Sequence, residues 1–282
     1  MNGFFNVFKE FGISSAKAIY LLKKKLNIKD KIGHMGTLDP NATGVLIVGV
    51  GRANRLFDVM LKKRKTYVAT FCFGYETETL DSESQKIVKT SSNIPTKDLI
   101  LKNESKMIGK FEQIAPIFSA KNINGRRAYE IAREGQNVEI KPHKIEIYDF
   151  KLLKQVDRNT FMFEIECSGG TYIRSICRDF AKMLNSVATM TSLMRTKCGD
   201  FDIKNSKTID DITESDLALC ELALKNFEEI KLSSGDIQKI KNGLKIKTNQ
   251  KSGKYKLYDN NSLVGICEVD ENGLASIPTW LI

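Results

Sequence analysis

The sequence lacks long apolar runs. None of its 282 residues belongs to an apolar stretch approaching the roughly eighteen residues of a membrane-spanning helix. The N-terminal segment MNGFFNVFKEFG also lacks the basic segment, apolar core and small-residue cleavage site of a secretory signal. No long repeat and no low-complexity tract is apparent. We therefore expect a soluble cytoplasmic protein without a membrane partner.

Metal-ligating residues are also scarce. The six cysteines are scattered without a C-x-x-C pair, and the only histidines are His34 and His143. Structural zinc sites need cysteine and histidine at close spacing. We therefore predict no metal site and reduced thiols.

Positive charge is abundant. Lysine and arginine number 44 against 34 acidic residues, which gives a formal net charge of +10. Such an excess favours a polyanionic partner such as nucleic acid. It is also compatible with lysine-rich genome composition and solubility, so charge alone leaves both interpretations open.

The most informative stretch is GHMGTLDPNATGVL, residues 33–46. Pro40 disfavours helical backbone at Asp39, and the three glycines allow tight turns or close approach of another chain segment. The apolar, β-branched run that follows predicts a buried strand. We expect Asp39 on a constrained loop that enters this strand, with His34 on the same loop. A turn in which the aspartate only bonds its own backbone is the alternative.

The rest of the chain reads as alternating helices and strands, which favours an α+β fold. In the first half of the chain we predict a helix from about Ser14, a short helix whose inward face consists of Ala53, Leu56, Phe57 and Met60, a strand at 67–73, a polar loop at 74–84 and a helix at 96–107. In the second half we predict strands at 144–154 and 160–167, a helix in SGGTYIRSICRDFAKML, a linker and helix at 202–226, and short C-terminal strands. Arg174 lies near a helix start, where its charge opposes the helix dipole, so a partner carboxylate explains it better than local stability.

Several segments resemble one known family. GHMGTLDPNATGVLIVGVGRA is similar to the signature G-H-x-G-x-L-D-P-x-A-x-G-V-L of the TruB family of tRNA pseudouridine synthases, with about ten fixed identities. Further matches are KTY to K-x-Y, GYETETLD to G-x-x-T-x-T-x-D, GTYIRS to G-x-Y-[IV]-R-[ST], and SLMRTKCGDF to L-x-R-T-x-x-G-x-F. The stretch PIFSAKNINGRRAYEIAREG also matches, and Lys9 matches the opening K-P-x-G element, although Glu10 stands where the family has proline. The resemblance covers roughly residues 5–201.

The resemblance implies roles for individual residues. The catalytic set is Asp39 as the essential residue, Arg174 as its ionic partner, Asp81 as a nearby second carboxylate, and Tyr67 in the active site. The substrate-binding and RNA-binding set is His34, Tyr172, Leu193, Lys9, Lys65, Arg126 and Arg133. Tyr172 would stack on the base, and Leu193 would line its pocket.

The resemblance also implies the fold and the activity. It predicts a pseudouridine synthase fold with a large mixed, mainly antiparallel central sheet in residues 1–226, including a tRNA-binding insertion at about 110–140. A small PUA-like β-rich domain would occupy residues 227–282. The implied reaction converts the uridine at position 55 of the tRNA T-loop to pseudouridine after base flipping, without a cofactor, by a monomer. The alternatives are a guide-RNA-dependent rRNA pseudouridylase and a non-catalytic RNA-binding or tRNA-folding module.

Overall fold

The structure is a computed structural model that describes residues 1–119, 121–123, 125–134, 140–259 and 261–281, with backbone only at 122, 123, 127, 129, 132 and 133. The helices are α1 (Ser15–Lys25), α2 (Phe57–Lys62), α3 (Lys97–Asn103), α4 (Ala128–Arg133), α5 (Ile173–Met183) and α6 (Ser234–Lys241). The strands are β1 (Gly3–Lys9), β2 (Ile32–His34), β3 (Ala42–Val50), β4 (Lys65–Phe73), β5 (Tyr75–Thr77), β6 (Ile87–Thr90), β7 (Gly109–Gln113), β8 (Asn122–Ile123), β9 (Arg126–Arg127), β10 (His143–Gln155), β11 (Thr160–Cys167), β12 (Ala188–Cys198), β13 (Phe201–Asp202), β14 (Glu228–Lys231), β15 (Ile246–Lys247), β16 (Gly253–Asp259), β17 (Ser262–Val269) and β18 (Leu274–Trp280).

A nine-stranded sheet forms the centre of the molecule. Its strand order is β1-β3-β12-β4-β11-β10-β7, with β2 beside β3 and β13 beside β12. The β3 and β12 pair is parallel, and the other ladders of the sheet are antiparallel. The predicted large mixed, mainly antiparallel sheet is therefore confirmed.

One face of the sheet carries the main core. The strand predicted at 67–73 is confirmed as β4, and Tyr67, Ala69, Phe71 and Phe73 on it are all buried. The apolar stripe of α5 packs on this face, and Phe180 on that helix contacts aromatic rings of the sheet. This packing brings α5 against the strands that carry the Asp39 loop and Tyr67.

Two predicted helix starts are confirmed in detail. Ser14 caps α1 by accepting a hydrogen bond from the backbone N–H of Lys17, and Thr96 caps α3 in the same way through Leu99. Each side-chain oxygen satisfies one of the backbone donors that a helix leaves free at its first turn.

Three local predictions are wrong. Phe57 is 41% exposed, because the preceding Gly51–Leu56 turn is a 3₁₀ helix whose three-residue period shifts the inward face. Residues 202–226 contain short 3₁₀ turns in place of the predicted helix, since this stretch forms isolated bridges to β1 through Lys207 and Ala218. Residues 74–84 begin with strand β5, which pairs with β6.

The C-terminal region forms a five-stranded sheet in the order β14-β16-β17-β18-β15, with α6 packed against it. The predicted β-rich character is confirmed. Leu263, Ile266 and Leu281 share an apolar cluster with Phe4 and Val45 of the central sheet. The division at residues 226 and 227 stays a prediction. Within the described ranges, no helix is long and apolar enough to cross a membrane.

We expect Phe163→Ala to lower the free energy of unfolding by about 3 to 5 kcal/mol, the usual cost of truncating a fully buried phenylalanine. Phe163 is 0% exposed, and its ring centroid lies 4.9 Å from that of Phe71 and 5.1 Å from that of Phe150. Urea denaturation measures the change. Phe11→Ala, at a side chain 66% exposed, serves as the control and should change stability by less than about 0.5 kcal/mol. Equal losses in the two variants would contradict the assignment of Phe163 to the core.

Candidate active site

The loop that carries Asp39 is held by backbone hydrogen bonds on both sides of the aspartate. The Ser15 hydroxyl donates to the Leu38 carbonyl and accepts from the Leu38 N–H, each at 2.9 Å. On the other side, the Gly12 N–H donates to the Pro40 carbonyl at 3.0 Å. Ser15 is 2% exposed, so the two hydrogen bonds of its hydroxyl are shielded from water. The first turn of α1 and the end of β1 thus fix Asp39 in space.

Lys9 completes this support from inside the protein. Its side chain is 0% exposed, and its ammonium donates to the carbonyls of Glu10 at 2.8 Å, Ile13 at 2.7 Å and Pro40 at 3.1 Å. Burial lowers the pKa of Lys9 to about 8. The family resemblance predicts an RNA contact for Lys9. In this position the side chain faces no solvent and instead holds the Asp39 loop.

A close approach of two strands places β12 beside the loop. Gly44 on β3 pairs with Arg195 on β12, and a Cβ at Gly44 would lie 2.3 Å from the Arg195 carbonyl oxygen. Gly44 also has a backbone φ of +99°, which residues with a side chain rarely adopt. Only glycine therefore allows this parallel pairing, which brings Leu193 and Arg195 next to the Asp39 loop.

Arg174 joins the two carboxylates that the resemblance predicts to lie together. Its Nε lies 3.1 Å from Asp39 Oδ2 and its Nη2 donates to Asp39 Oδ1 at 3.2 Å, a bidentate arrangement. Its Nη1 donates to the Thr79 carbonyl at 3.1 Å and lies 3.4 Å from Asp81 Oδ2. The side chains of Arg174 and Asp81 are 7% and 5% exposed, whereas that of Asp39 is 32% exposed. Asp39 is thus the member of the cluster that can meet a ligand.

The electrostatics of Asp39 combine opposing effects. Burial raises the pKa of its carboxyl group, and the nearby Asp81 carboxylate adds to this increase. The Arg174 guanidinium and, to a lesser degree, the Lys9 ammonium lower the pKa of the same carboxyl group. The ionised form of Asp39 therefore depends on Arg174.

The Asp39 carboxylate opens into a pocket of about 360 Å³. This volume suits a small ligand or a single nucleobase with its sugar. Its walls come from the Asp39 loop, α2, β4, the start of α5 and β12. Among the lining residues are His34, Leu38, Phe57, Leu61, Tyr67, Tyr172, Arg174, Leu193 and Arg195.

Two polar side chains of the pocket are held in their neutral forms. Burial raises the pKa of the Tyr67 phenol well above its usual value, so the hydroxyl keeps its proton and can donate a hydrogen bond. Burial and the nearby Arg195 guanidinium lower the pKa of His34. The Nδ1 atom of His34 is buried without a hydrogen-bond partner. Both residues lie at the pocket, as predicted.

Two further residues of the predicted binding set, Tyr172 and Lys65, also line the pocket. Tyr172 lines the pocket at the N-cap position of α5 and packs against Ala115, Ala128 and Ile140. Lys65 is 4% exposed, and its ammonium donates to the carbonyls of Leu61 and Lys63, each at 2.9 Å.

Arg126, in the predicted insertion, lies outside the described pocket lining. Arg126 is exposed and pairs with Glu134, so its charge is already partly neutralised. Arg133 lies on α4, but its side chain is outside the described residues. Of the predicted catalytic set, Asp39, Tyr67 and Arg174 line the pocket, and Asp81 is buried beside Arg174. Of the predicted binding set, the lining includes His34, Lys65, Tyr172 and Leu193.

Sequence reasoning missed Arg195. Its side chain is 1% exposed, and it donates to the carbonyls of Val45 at 2.7 Å and Gly36 at 3.1 Å. It pairs across the sheet with Tyr67, and its guanidinium opposes the increase that burial causes in the pKa of the Tyr67 phenol. The sequence signal for Arg195 is its place in the segment SLMRTKCGDF, which resembles the family pattern, but the prediction from the resemblance assigns a role there to Leu193 alone.

The arrangement suits covalent or acid–base chemistry on a ligand in the pocket. Asp39 supplies an ionisable carboxylate that an arginine orients, and Tyr67 supplies a protonated phenol in the same pocket. A carboxylate in this setting acts as a nucleophile or as a general base. The fixed guanidinium stabilises its negative charge without reorganisation during the reaction.

Comparison with known proteins gives consistent results. Residues 23–173 match the model of the TruB family pseudouridylate synthase N-terminal domain. The chain is 37% identical over 277 residues to tRNA pseudouridine synthase B of Caldanaerobacter subterraneus subsp. tengcongensis, covering 95% of this chain and 96% of that protein. It is 41% identical over 254 residues to tRNA pseudouridine synthase B of Rickettsia bellii, covering 87% and 86%.

A similar fold occurs in a solved structure. A chain of the crystal structure of a Cbf5-Nop10-Gar1 complex superposes with a TM-score of 0.74 at 20% identity, covering 99% of this chain and 85% of that chain. At this identity the likeness establishes a shared fold only. The predicted fold class is confirmed by this superposition together with the sheet described above.

We expect Arg174→Met to lower the free energy of unfolding by about 3 kcal/mol at neutral pH, because it leaves the buried Asp81 carboxylate without its cation. Adding Asp81→Asn should recover part of this loss, since the uncompensated charge is then removed. Urea denaturation of the two single variants and the double variant gives the interaction free energy between Arg174 and Asp81.

The matched control is Lys86→Met, which breaks the exposed pair between Lys86 and Glu78. Exposed pairs contribute about 0 to 1 kcal/mol, so the control should change little. A loss for Arg174→Met no larger than that for Lys86→Met would contradict a stabilising role of the cluster.

Proposed function

The chain belongs to the TruB family of pseudouridylate synthases, and we propose that it isomerises the T-loop uridine of tRNA, conventional position 55, with Asp39 as the catalytic residue. The observation that carries this proposal is the Asp39 carboxylate, held by two nitrogens of Arg174 and open to the pocket. The high identity to relatives named tRNA pseudouridine synthase B supports tRNA as the substrate.

The reaction exchanges one glycosidic bond for another. The N1–C1′ bond breaks, the uracil turns over, and a C5–C1′ bond forms, while the C5 proton leaves to solvent and N1 gains a proton. The oxidation state does not change, so the chemistry requires no redox cofactor. Asp39 acts as a nucleophile at C1′ or C6, or as a base that leads to a glycal, and both routes need its ionised form next to a fixed cation.

The target base must leave its stack to reach Asp39. Flipping a nucleotide out of a folded loop costs a few kcal/mol. Stacking on the Tyr172 ring and contact with Leu193 would offset this cost inside the pocket. The protonated phenol of Tyr67 can donate a hydrogen bond to a base carbonyl or relay a proton, and neutral His34 can pack at the pocket entrance.

The surrounding surface would bind the RNA backbone. Lys62 and Arg64 are exposed at the end of α2, next to the pocket residue Leu61. The insertion at about 110–140 and the C-terminal sheet, residues 227–282, would contact the T-arm stem as additional RNA-binding elements. Phosphate contacts by lysine and arginine make such binding strongly salt dependent. In this proposal the protein works in the cytoplasm as a monomer.

Two alternatives make different experimental predictions. A guide-RNA-dependent enzyme would leave isolated tRNA unmodified, and the likeness to the Cbf5 chain, at 20% identity, shows the fold without supporting this dependence. A non-catalytic RNA-binding module would bind tRNA without isomerising uridine. The intact cluster of Asp39, Arg174 and Asp81 favours catalysis over binding alone. The identity to relatives named tRNA pseudouridine synthase B favours direct action on tRNA over dependence on a guide.

We expect the protein to release tritium from a tRNA transcript that carries 5-tritiated uridine, and Asp39→Asn to reduce this rate at least roughly 10⁴-fold, the scale seen when an essential catalytic group is removed. Asparagine keeps the size of the side chain but cannot act as a carboxylate. Fluorescence binding measurements should give the same tRNA affinity for the two proteins within about threefold, because the change leaves the phosphate contacts intact.

The control for the target position is a transcript in which the T-loop uridine is replaced by cytidine. Release should then stop. Continued release from this transcript would place the modified uridine elsewhere, and tight binding without release by the intact protein would indicate a binding module.

We also expect Asp81→Asn to shift the acid limb of the pH–rate profile to lower pH. The working form of Asp39 is ionised, so the rate falls as pH drops through its pKa, which burial raises above the usual value. Asp81 contributes to this increase, and removing its charge lowers the Asp39 pKa. Single-turnover rates over a range of pH measure the shift.

The control is Asp98→Asn, at an exposed residue in the first turn of α3, which should leave the limb unchanged. A shift of the Asp81→Asn limb to higher pH would contradict the electrostatic effect of Asp81 on the Asp39 pKa.

A further inference from the structure

Gln113 forms a double hydrogen bond with the backbone of Tyr172. Its Nε2 donates to the Tyr172 carbonyl at 3.1 Å, and its Oε1 accepts from the Tyr172 N–H at 2.9 Å. The two residues are 59 positions apart, and Gln113 is 2% exposed at the end of β7. The buried side-chain amide of Gln113 therefore donates one hydrogen bond to the Tyr172 backbone and accepts one from it, as a residue of a neighbouring strand does.

The residue after Gln113 continues the same contact. The Ser175 hydroxyl donates to the Ile114 carbonyl at 2.8 Å, and Arg178 Nη2 donates to the same oxygen at 3.2 Å. Ser175 is 0% exposed. Residues 113–114 thus attach to the first two turns of α5 at three points.

These bonds act at the start of α5. Tyr172 occupies the N-cap position but provides no side-chain cap, and Arg174 follows two residues later. The Tyr172 carbonyl also accepts the first helical hydrogen bond, from Ile176 at 3.1 Å. The Gln113 side chain therefore binds the backbone at the N-cap of α5, two residues before Arg174.

We propose that Gln113 is a positioning residue for the active site, which holds the Tyr172 ring and the Arg174 guanidinium in working register with Asp39. This inference rests on the proposed function for its kinetic consequence, but its structural part is independent of it. Catalytic geometry is sensitive to small displacements, and an error of about 1 Å can reduce a rate roughly 100-fold. Gln113 lines no wall of the described pocket, so its effect is indirect.

The test is Gln113→Met, which keeps the length of the side chain and removes both hydrogen bonds. We expect the single-turnover rate at saturating tRNA to fall about 10- to 100-fold, with the dissociation constant for tRNA changed less than about threefold, since the phosphate contacts are unaffected. The backbone N–H of Tyr172 and the Nε–H of Arg174 should also exchange with deuterium at least about tenfold faster, because both lose a fixed position.

The matched control is Asn103→Met. Asn103 is another buried amide, 8% exposed at the end of α3, and it donates to the Leu99 carbonyl outside the described pocket lining. Its loss should cost a similar free energy of unfolding but change the rate less than twofold. Ser175→Ala provides a milder variant of the same contact and should slow the reaction at least about threefold without unfolding the protein.

The outcomes separate the inference from the proposed function. Unchanged rates and unchanged hydrogen exchange in Gln113→Met would overturn the positioning role. Equal rate losses in Asn103→Met would show that lost stability explains the effect, which also overturns it. If the intact protein forms no pseudouridine in tRNA, the proposed function is wrong, and hydrogen exchange at Tyr172 and Arg174 still decides whether Gln113 positions the start of α5.

Discussion

The bidentate contact between Arg174 and Asp39 is the interaction on which the active site depends. One guanidinium also reaches Asp81 and the Thr79 carbonyl, so it ties together the loop before β3, the segment after β5 and the start of α5. Because Arg174 and Asp81 are almost fully buried, neither charge is tolerable without the other. Asp39 is the most exposed of the three side chains, and its two buried partners determine its charge and direction.

Around this cluster, several buried cations have structural roles. Lys9, Lys65 and Arg195 each donate to backbone carbonyls of the loops that form the pocket. Charged donors bind carbonyl oxygens more strongly than neutral donors do, and burial shields these bonds from water. The pocket walls are therefore rigid before a substrate arrives, which reduces the reorganisation needed during the reaction. Lys9 and Lys65, which the resemblance assigns to substrate and RNA binding, thus donate hydrogen bonds to the protein's own backbone.

The predictions from sequence succeeded where a local rule decides the structure. The helix start near Ser14 and the strand at 67–73 depend mainly on neighbouring residues, and both are present. Phe57 failed because a 3₁₀ turn changed the helical period ahead of it. The stretch 202–226 failed because bridges to β1 replaced its local preference for helix. Arg126 was expected to be available to RNA, but Glu134 lies close enough to pair with it.

The sequence by itself determined the family, through the spacing of the residues around Asp39, and it determined that Arg174 needs a carboxylate, because a cation at a helix start opposes the helix dipole. The family resemblance named Asp39 and Asp81 as partners of Arg174, but only the tertiary structure brings Asp39 into contact with it, since the two residues are 135 positions apart along the chain. The same holds for Gln113 and Tyr172, and for Arg195 and Tyr67. Local patterns depend on backbone sterics within a few residues, whereas the partner of a buried polar group depends on strand order and register, which the whole chain fixes together.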